Sequence, residues 1–145
     1  MAQLPVNFEG VTPIFNVRDL EASIKYYVDV LGFKVEWQGG GVASVSRDGC
    51  GVFLAEGDQG HPGAWLWAGV SDAGALFAEY QTSGAKIRHP PTNFQWAYEM
   101  QVEDLDGNVL RLGSEPKENQ PFGPWKDMRG DLWMPRAEGG WRRVE

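Results

Sequence analysis

The sequence predicts an α+β protein made of two tandem β-α-β-β-β units. Three observations carry that expectation. Short apolar runs alternate with polar residues and are bounded by Gly- and Asp-rich turns; two stretches at helical spacing each open on an Asp and close on a Gly; and the same order of elements occurs twice.

In the first unit, Val11 to Val17 reads as a strand that, by Pro13, lies at an edge or is paired on one side only. Asp19 opens a helix over 19–31 with Leu20, Ile24, Tyr27 and Leu31 at helical spacing, and Gly32 stops it. Three further strands follow at Phe33 to Trp37, Val42 to Arg47 and Gly51 to Ala55, separated by Gly39-Gly40-Gly41 and Asp48-Gly49. After a loop at 57–63 the order restarts. Ala64 to Val70 is a strand, and Ser71-Asp72 opens a helix to Ser83 whose apolar stripe includes Ala73, Leu76, Phe77 and Tyr80. Gly84 closes that helix, Lys86 to Arg88 makes a short strand, and His89 to Gln95 is expected to be a proline-containing loop. The last two strands form a hairpin over 96–113 around Asp104-Leu105-Asp106-Gly107-Asn108, where Gly supplies the positive φ a tight turn needs. Aligning Val17-Arg18-Asp19 with Val70-Ser71-Asp72 lays Tyr27 over Tyr80.

Composition bounds the function. At 145 residues and 42% hydrophobic, the chain suits one compact domain with an appendage. With no apolar run long enough to span a bilayer and no leader pattern, a soluble cytoplasmic protein is expected. One cysteine, Cys50, excludes an intrachain disulfide framework, and His61 and His89 make no zinc-type cluster with it. A formal charge of -7 disfavours a nucleic-acid partner and mildly attracts a cationic small molecule. Seven tryptophans are the compositional oddity, and they suit either an aromatic core or an aromatic binding surface.

The run from Val11 to Glu115 resembles the vicinal oxygen chelate superfamily of glyoxalases, dioxygenases and bleomycin-resistance proteins. The residues that carry the likeness are Val17 to Ser23, Tyr26-Tyr27 with Leu31-Gly32-Phe33, and Asp104 to Asn108. The resemblance implies units at 11–56 and 64–115 that curl into a cupped mixed sheet with helices outside, after a lead-in at 1–10. It also implies one metal ligand at each of four cup-facing positions, which by spacing fall at Thr12, Phe53, Trp65 and Arg111. A divalent ion needs oxygen or nitrogen donors there, and a permanently charged guanidinium repels it. No metal, no cofactor and no catalytic residue are therefore expected, and His61, in its Gly-Pro-Gly loop, reads as a surface residue. What remains resembles the bleomycin-resistance branch, which binds its drug without chemistry in grooves between the subunits of a symmetric dimer. A metal-dependent lyase or dioxygenase with a displaced metal site is the alternative. A binder of some other aromatic or anionic metabolite is a third reading.

The candidate site can also be described from alternation alone. Trp65 and Trp67 share one face of their strand; if Leu66 packs on the helices, both indoles face the cup, joined by Thr12 and Ile14 from the first strand and Phe53 from the fourth. Glu99 and Gln101 share the polar face of the strand beside Arg111, so an Arg111–Glu99 pair at the cup floor is expected. Phe94 and Trp96 enter the candidate set because, by the resemblance, their loop flanks the groove. The ligand so implied is a cationic or aromatic small molecule, held by a homodimer. The competing reading is that the tryptophans merely fill the cup and Arg111 is neutralised for structural reasons. The extension at 116–145 holds Trp125, Trp133 and Trp141 with prolines at 116, 121, 124 and 135; it is too aromatic for a disordered tail and is expected to dock on the domain or its dimer mate, partly covering the cup.

Overall fold

The computed structural model describes residues 4–127 and 129–144. The first unit runs β1 (Ile14–Asn16), α1 (Leu20–Lys25, continued by a π-helical turn over Tyr26–Val30), β2 (Lys34–Gly39), β3 (Val42–Arg47) and β4 (Cys50–Ala55). The second runs β5 (Trp65–Gly69), α2 (Ala73–Ser83), β6 (Lys86–Asn93), β7 (Tyr98–Glu103) and β8 (Val109–Ser114). Each unit makes its own four-stranded mixed sheet, in the orders β1-β4-β3-β2 and β5-β8-β7-β6. The parallel pair is the first strand with the last in both cases, with Ile14 opposite Phe53 in one sheet and Trp67 opposite Arg111 in the other. The internal repeat is thus real down to the register.

Both helices start alike. Asp19 accepts from the Ala22 amide at 3.1 Å and Asp72 from the Ala75 amide at 3.0 Å, each satisfying a first-turn N–H left over by the helix geometry. At the other end of α2, Gly84 sits at φ 87°, which a side chain would strain.

The inner faces of the two sheets share one core. Phe15, Val17, Val45 and Leu54 from the first sheet meet Met100, Val102, Leu110 and Leu112 from the second, with Leu20, Tyr27, Leu31 and Tyr80 of the helical segments between them. The hairpin turn at 104–108 is the point where the units are stitched together. Gly107 adopts φ 78°, Asp104 accepts from the Tyr27 hydroxyl at 2.8 Å, and Asp106 accepts from the Arg18 amide at 3.1 Å. Asn108 accepts from the Ala64 amide at 3.0 Å and donates to the Asn16 carbonyl at 3.1 Å. A second stitch joins Arg47 to Glu79 through two bonds of 2.7 and 2.9 Å, and Arg47 also donates to the Leu31 carbonyl.

Two expectations about elements need correction, and one element was not expected. The first strand is only Ile14–Asn16: Pro13 has no N–H for the ladder, although its carbonyl accepts from Phe53 at 2.9 Å. The expected loop at His89 to Gln95 is largely strand, since β6 runs on to Asn93 through Pro90 and Pro91. It can do so because β6 is a sheet edge, where a missing N–H is tolerated, and its register shifts twice around His89. The extension, to which the pattern assigns no elements, forms a third sheet in the order β11-β10-β9 from β9 (Trp125–Lys126), β10 (Leu132–Pro135) and β11 (Trp141–Val144). Among the described residues no helix is long and apolar enough to cross a membrane.

Candidate functional site

Because the inner faces of both sheets are committed to the core, their outer faces point away from it. Leu66 packs against the core, which sends Trp65 and Trp67 to the outer face of the second sheet, with Glu99, Gln101 and Arg111. Glu99 is the centre of this face. It is 1% exposed, and its carboxylate accepts from Arg111 Nε at 2.8 Å, Arg111 Nη2 at 3.2 Å, Trp67 Nε1 at 2.9 Å and Trp96 Nε1 at 3.1 Å. Oε1 accepts three of these bonds and Oε2 one, so both oxygens are engaged and the ion pair fixes the guanidinium in place. Gln101 accepts from Arg88, which in turn lies over the Trp65 ring 4.8 Å from its centroid. Phe94 is buried and stacks on Trp96 at 4.7 Å with the planes 2° apart, so it braces that indole from behind.

The extension completes the site. Trp125 and Trp133 are paired across β9 and β10, and Trp133 lies two residues from Pro135, which is paired with Trp141 on β11. Period-two alternation therefore puts the three indoles on one face of the small sheet. That face, together with Trp96 and Arg111, lines an open pocket of about 510 Å³, within the size range of small-molecule sites. Trp96 and Trp141 meet across it at 5.8 Å and 50°, and Trp133 is held by donating to Asp127 at 2.9 Å, a bond that lowers the Asp127 carboxyl below its ordinary value. The root of the extension is fastened by Asn93, which donates to the Lys117 and Gln120 carbonyls at 3.1 and 3.2 Å and accepts from the Lys117 amide at 2.8 Å.

Of the residues singled out in the sequence, Trp96 and Arg111 line this cavity, while Glu99, Trp67 and Phe94 support them. Trp65 and Gln101 lie on the same sheet face but engage Arg88. Thr12, Ile14 and Phe53 are not brought to it, and the expectation that one protomer gathers both sets into a single cup is corrected. They belong to the first unit, whose outer face points away from the shared core on its own side; there Phe53 packs edge-on against Trp37 at 5.2 Å. The lining residues not in the candidate set are Trp125, Trp133 and Trp141. The signal for them was present in the turn residues Arg129-Gly130-Asp131 and Glu138-Gly139-Gly140, which bracket short alternating runs.

A divalent metal does not fit the residues found at the four positions implied for it. Thr12 offers one hydroxyl and Phe53 and Trp65 offer no ligand, while Arg111 is a fixed cation whose carboxylate partner has no free oxygen. Among the described residues no three His, Cys, Asp or Glu side chains group as a metal site.

Paired β-α-β-β-β sheets, with ligand-sized space on an outer face, define a class of proteins built by duplication of one unit. The chain belongs to the Glyoxalase/Bleomycin resistance protein/Dioxygenase superfamily, whose model matches residues 11–112. Among solved structures it is similar to the bleomycin-binding protein of Streptomyces verticillus complexed with copper(II)-bleomycin, with 22% identity, a TM-score of 0.66, and coverage of 76% of this chain and 98% of that one. It is also similar to TnmS3, an antibiotic binding protein from a Streptomyces species, at 26% identity and a TM-score of 0.61 over 75% of this chain and 98% of that one. TioX from a Micromonospora species matches at 20% identity and a TM-score of 0.62 over 73% and 99% of the two chains. No curated protein matches the chain.

Proposed function

We propose that the protein binds and sequesters an aromatic small molecule without transforming it, in the chamber between the second sheet and the C-terminal extension. The observation that carries this reading is the composition of the chamber wall: Trp96, Trp125, Trp133 and Trp141 with Arg111. Indole and guanidinium groups bind well but neither titrate near neutral pH nor act as nucleophiles, and the one carboxylate beneath them is buried and engaged at both oxygens. Resemblance to antibiotic-binding relatives supports the same reading and makes a natural-product drug the first ligand to try.

A symmetric homodimer belongs to this proposal. Ile14 and Trp37, which share the outer face of the first unit with Phe53, are each more than a third exposed, an apolar grouping that a second copy would cover. Sedimentation velocity should show a dimer at micromolar concentration.

The binding reading is tested by calorimetry and thermal shift with copper-free bleomycin, copper-loaded bleomycin and a panel of aromatic antibiotics, on the full chain and on Trp141→Ala. A ligand should raise the melting temperature of the parent, lose that effect in the variant, and be recovered unchanged by mass spectrometry. Binding that is indifferent to Trp141→Ala, no binding at all, or conversion of the ligand would each overturn the proposal.

A further inference from the structure

A second cavity lies on the inner side of the second sheet, where the turn between β3 and β4 faces α2, and we infer that it is a separate binding site for a small amphipathic amine. Its volume is about 470 Å³, again within the range of small-molecule sites. No residue that lines it also lines the tryptophan chamber, so the inference stands apart from the binding reading above. Strand alternation keeps the two separate: Ala68 and Leu112, paired on β5 and β8, turn into this cavity, while Trp67 and Arg111, paired one residue earlier, turn to the outer face.

The floor is a gap in the shared core. Phe33, Val70 and Leu76 pack against core residues, yet each stays only half-buried because the cavity opens onto it. Asp48 and Cys50 stand on one side of the gap and the first turns of α2 on the other, with Arg47 reaching across to Glu79 through bonds of 2.7 and 2.9 Å. Apolar surface left wet in this way favours a ligand with a hydrocarbon or phenyl end, since covering it is favourable in proportion to its area.

The rim selects charge. Three carboxylates, Asp48, Asp72 and Glu79, stand against one guanidinium, Arg47. Arg47 is already matched by Glu79 and also donates to the Leu31 carbonyl at 2.9 Å. Asp48 and Asp72 have no ion-pair partner among the described residues. An anion finds no comparable place, even at the start of α2: the Ala73 amide donates to Ser114 and the Ala75 amide to Asp72. A cationic head at the rim with an apolar end on the floor satisfies both halves of the cavity, and the overall charge of -7 draws the same sign of ligand.

The test is calorimetry on the full chain with three probes: 4-phenylbutylamine, its anionic counterpart 4-phenylbutyrate, and butylamine, which keeps the charge and lacks the ring. Two-dimensional proton–nitrogen spectra locate the binding, because this cavity is reported by the amides of Val70, Asp72 and Leu76 and the chamber by the indole N–H groups of its four tryptophans. The phenylbutylamine should bind about fivefold or more tighter than either of the others, weaken as salt is raised, and shift the amides while leaving the indoles in place. Asp48→Asn with Asp72→Ser removes both unmatched charges but suits the left-handed turn at Asp48 and keeps a cap on α2; it should weaken phenylbutylamine by about 3- to 10-fold. Ala75→Leu places a larger side chain in the cavity at a helix position that tolerates it and should abolish the binding. Phenylbutyrate or butylamine binding as tightly as phenylbutylamine, or affinity indifferent to the double variant, would overturn the ligand class. Shifts confined to the indoles, binding indifferent to Ala75→Leu, or no binding of phenylbutylamine at millimolar concentration would overturn the site.

Discussion

Glu99→Gln is the substitution that most directly probes how the outer face of the second sheet is held. The carboxylate is 1% exposed and Arg111 28%, so the pair is buried on the acid side only. Glutamine keeps one acceptor oxygen for the indole N–H groups of Trp67 and Trp96 but turns an NH2 toward the guanidinium, donor against donor. The Nε bond, about 1.5–3 kcal/mol, is lost while the Nη2 bond to the retained oxygen survives; the buried NH2 left without an acceptor costs a further ~1–3 kcal/mol, and partial hydration of Arg111 offsets some of this, leaving about 3 kcal/mol. For a domain near this size that is a fall of about 6–12 °C in melting temperature. Differential scanning calorimetry at neutral pH measures it. Adding Arg111→Met removes the stranded cation, so the double variant should regain most of the loss. A fall of under about 2 °C in the single variant, or a double variant no more stable than the single, would refute the view that this pair anchors the site.

Two further outcomes follow from neighbouring contacts. Tyr27→Phe removes the hydroxyl that donates to Asp104 at 2.8 Å and should cost about 2 kcal/mol at neutral pH. Burial already raises the Asp104 carboxyl above its ordinary 3.8, so this group favours folding below 3.8 and that contribution is lost as pH rises through the raised folded value. Losing a donor to the charged form raises it further; the penalty of Tyr27→Phe is therefore full above that value and shrinks toward acid, and equal penalties in urea titrations at neutral and acid pH would contradict it. Asn93→Ala breaks the side-chain bonds to Lys117 and Gln120 and should loosen the extension, seen as faster amide exchange in β9 to β11 with the exchange of β7 and β8 unchanged. Uniform exchange across all five strands, or none altered, would show that the extension is not fastened there.

The fold was legible because each unit announces its punctuation locally. Asp19 and Asp72 cap, Gly84 and Gly107 take positive φ, and Leu66, Leu110 and Leu112 alternate into the core; all of these are near-neighbour effects that a pattern can carry. The Arg111–Glu99 pair was legible for the same reason, since it depends only on two adjacent strands. What was not legible is relative placement. Alternation tells which residues of one strand share a face, but it does not say whether the outer faces of two sheets converge, and so Ile14 and Phe53 were grouped with Trp67 and Arg111 although a common core holds them apart. The strand character of Pro90 and Pro91 was hidden too, because edge position is a property of the whole sheet.

The duplicated register sharpens why the site forms on one unit and not the other. Phe53 and Arg111 occupy the same slot, each beside the first strand of its unit and opposite Ile14 or Trp67. In the first unit that slot is apolar and meets Trp37, giving a surface that a second protein chain can cover by contact alone. In the second it is a cation that must be matched, and Glu99 matches it only by being buried itself. Burying Glu99 requires donors at close range, which Trp67 and Trp96 provide, and holding Trp96 in place draws in Phe94 beneath and Trp141 above. The charge at one position thus organises an aromatic shell around it, and the extension supplies the part of that shell which the duplicated units lack.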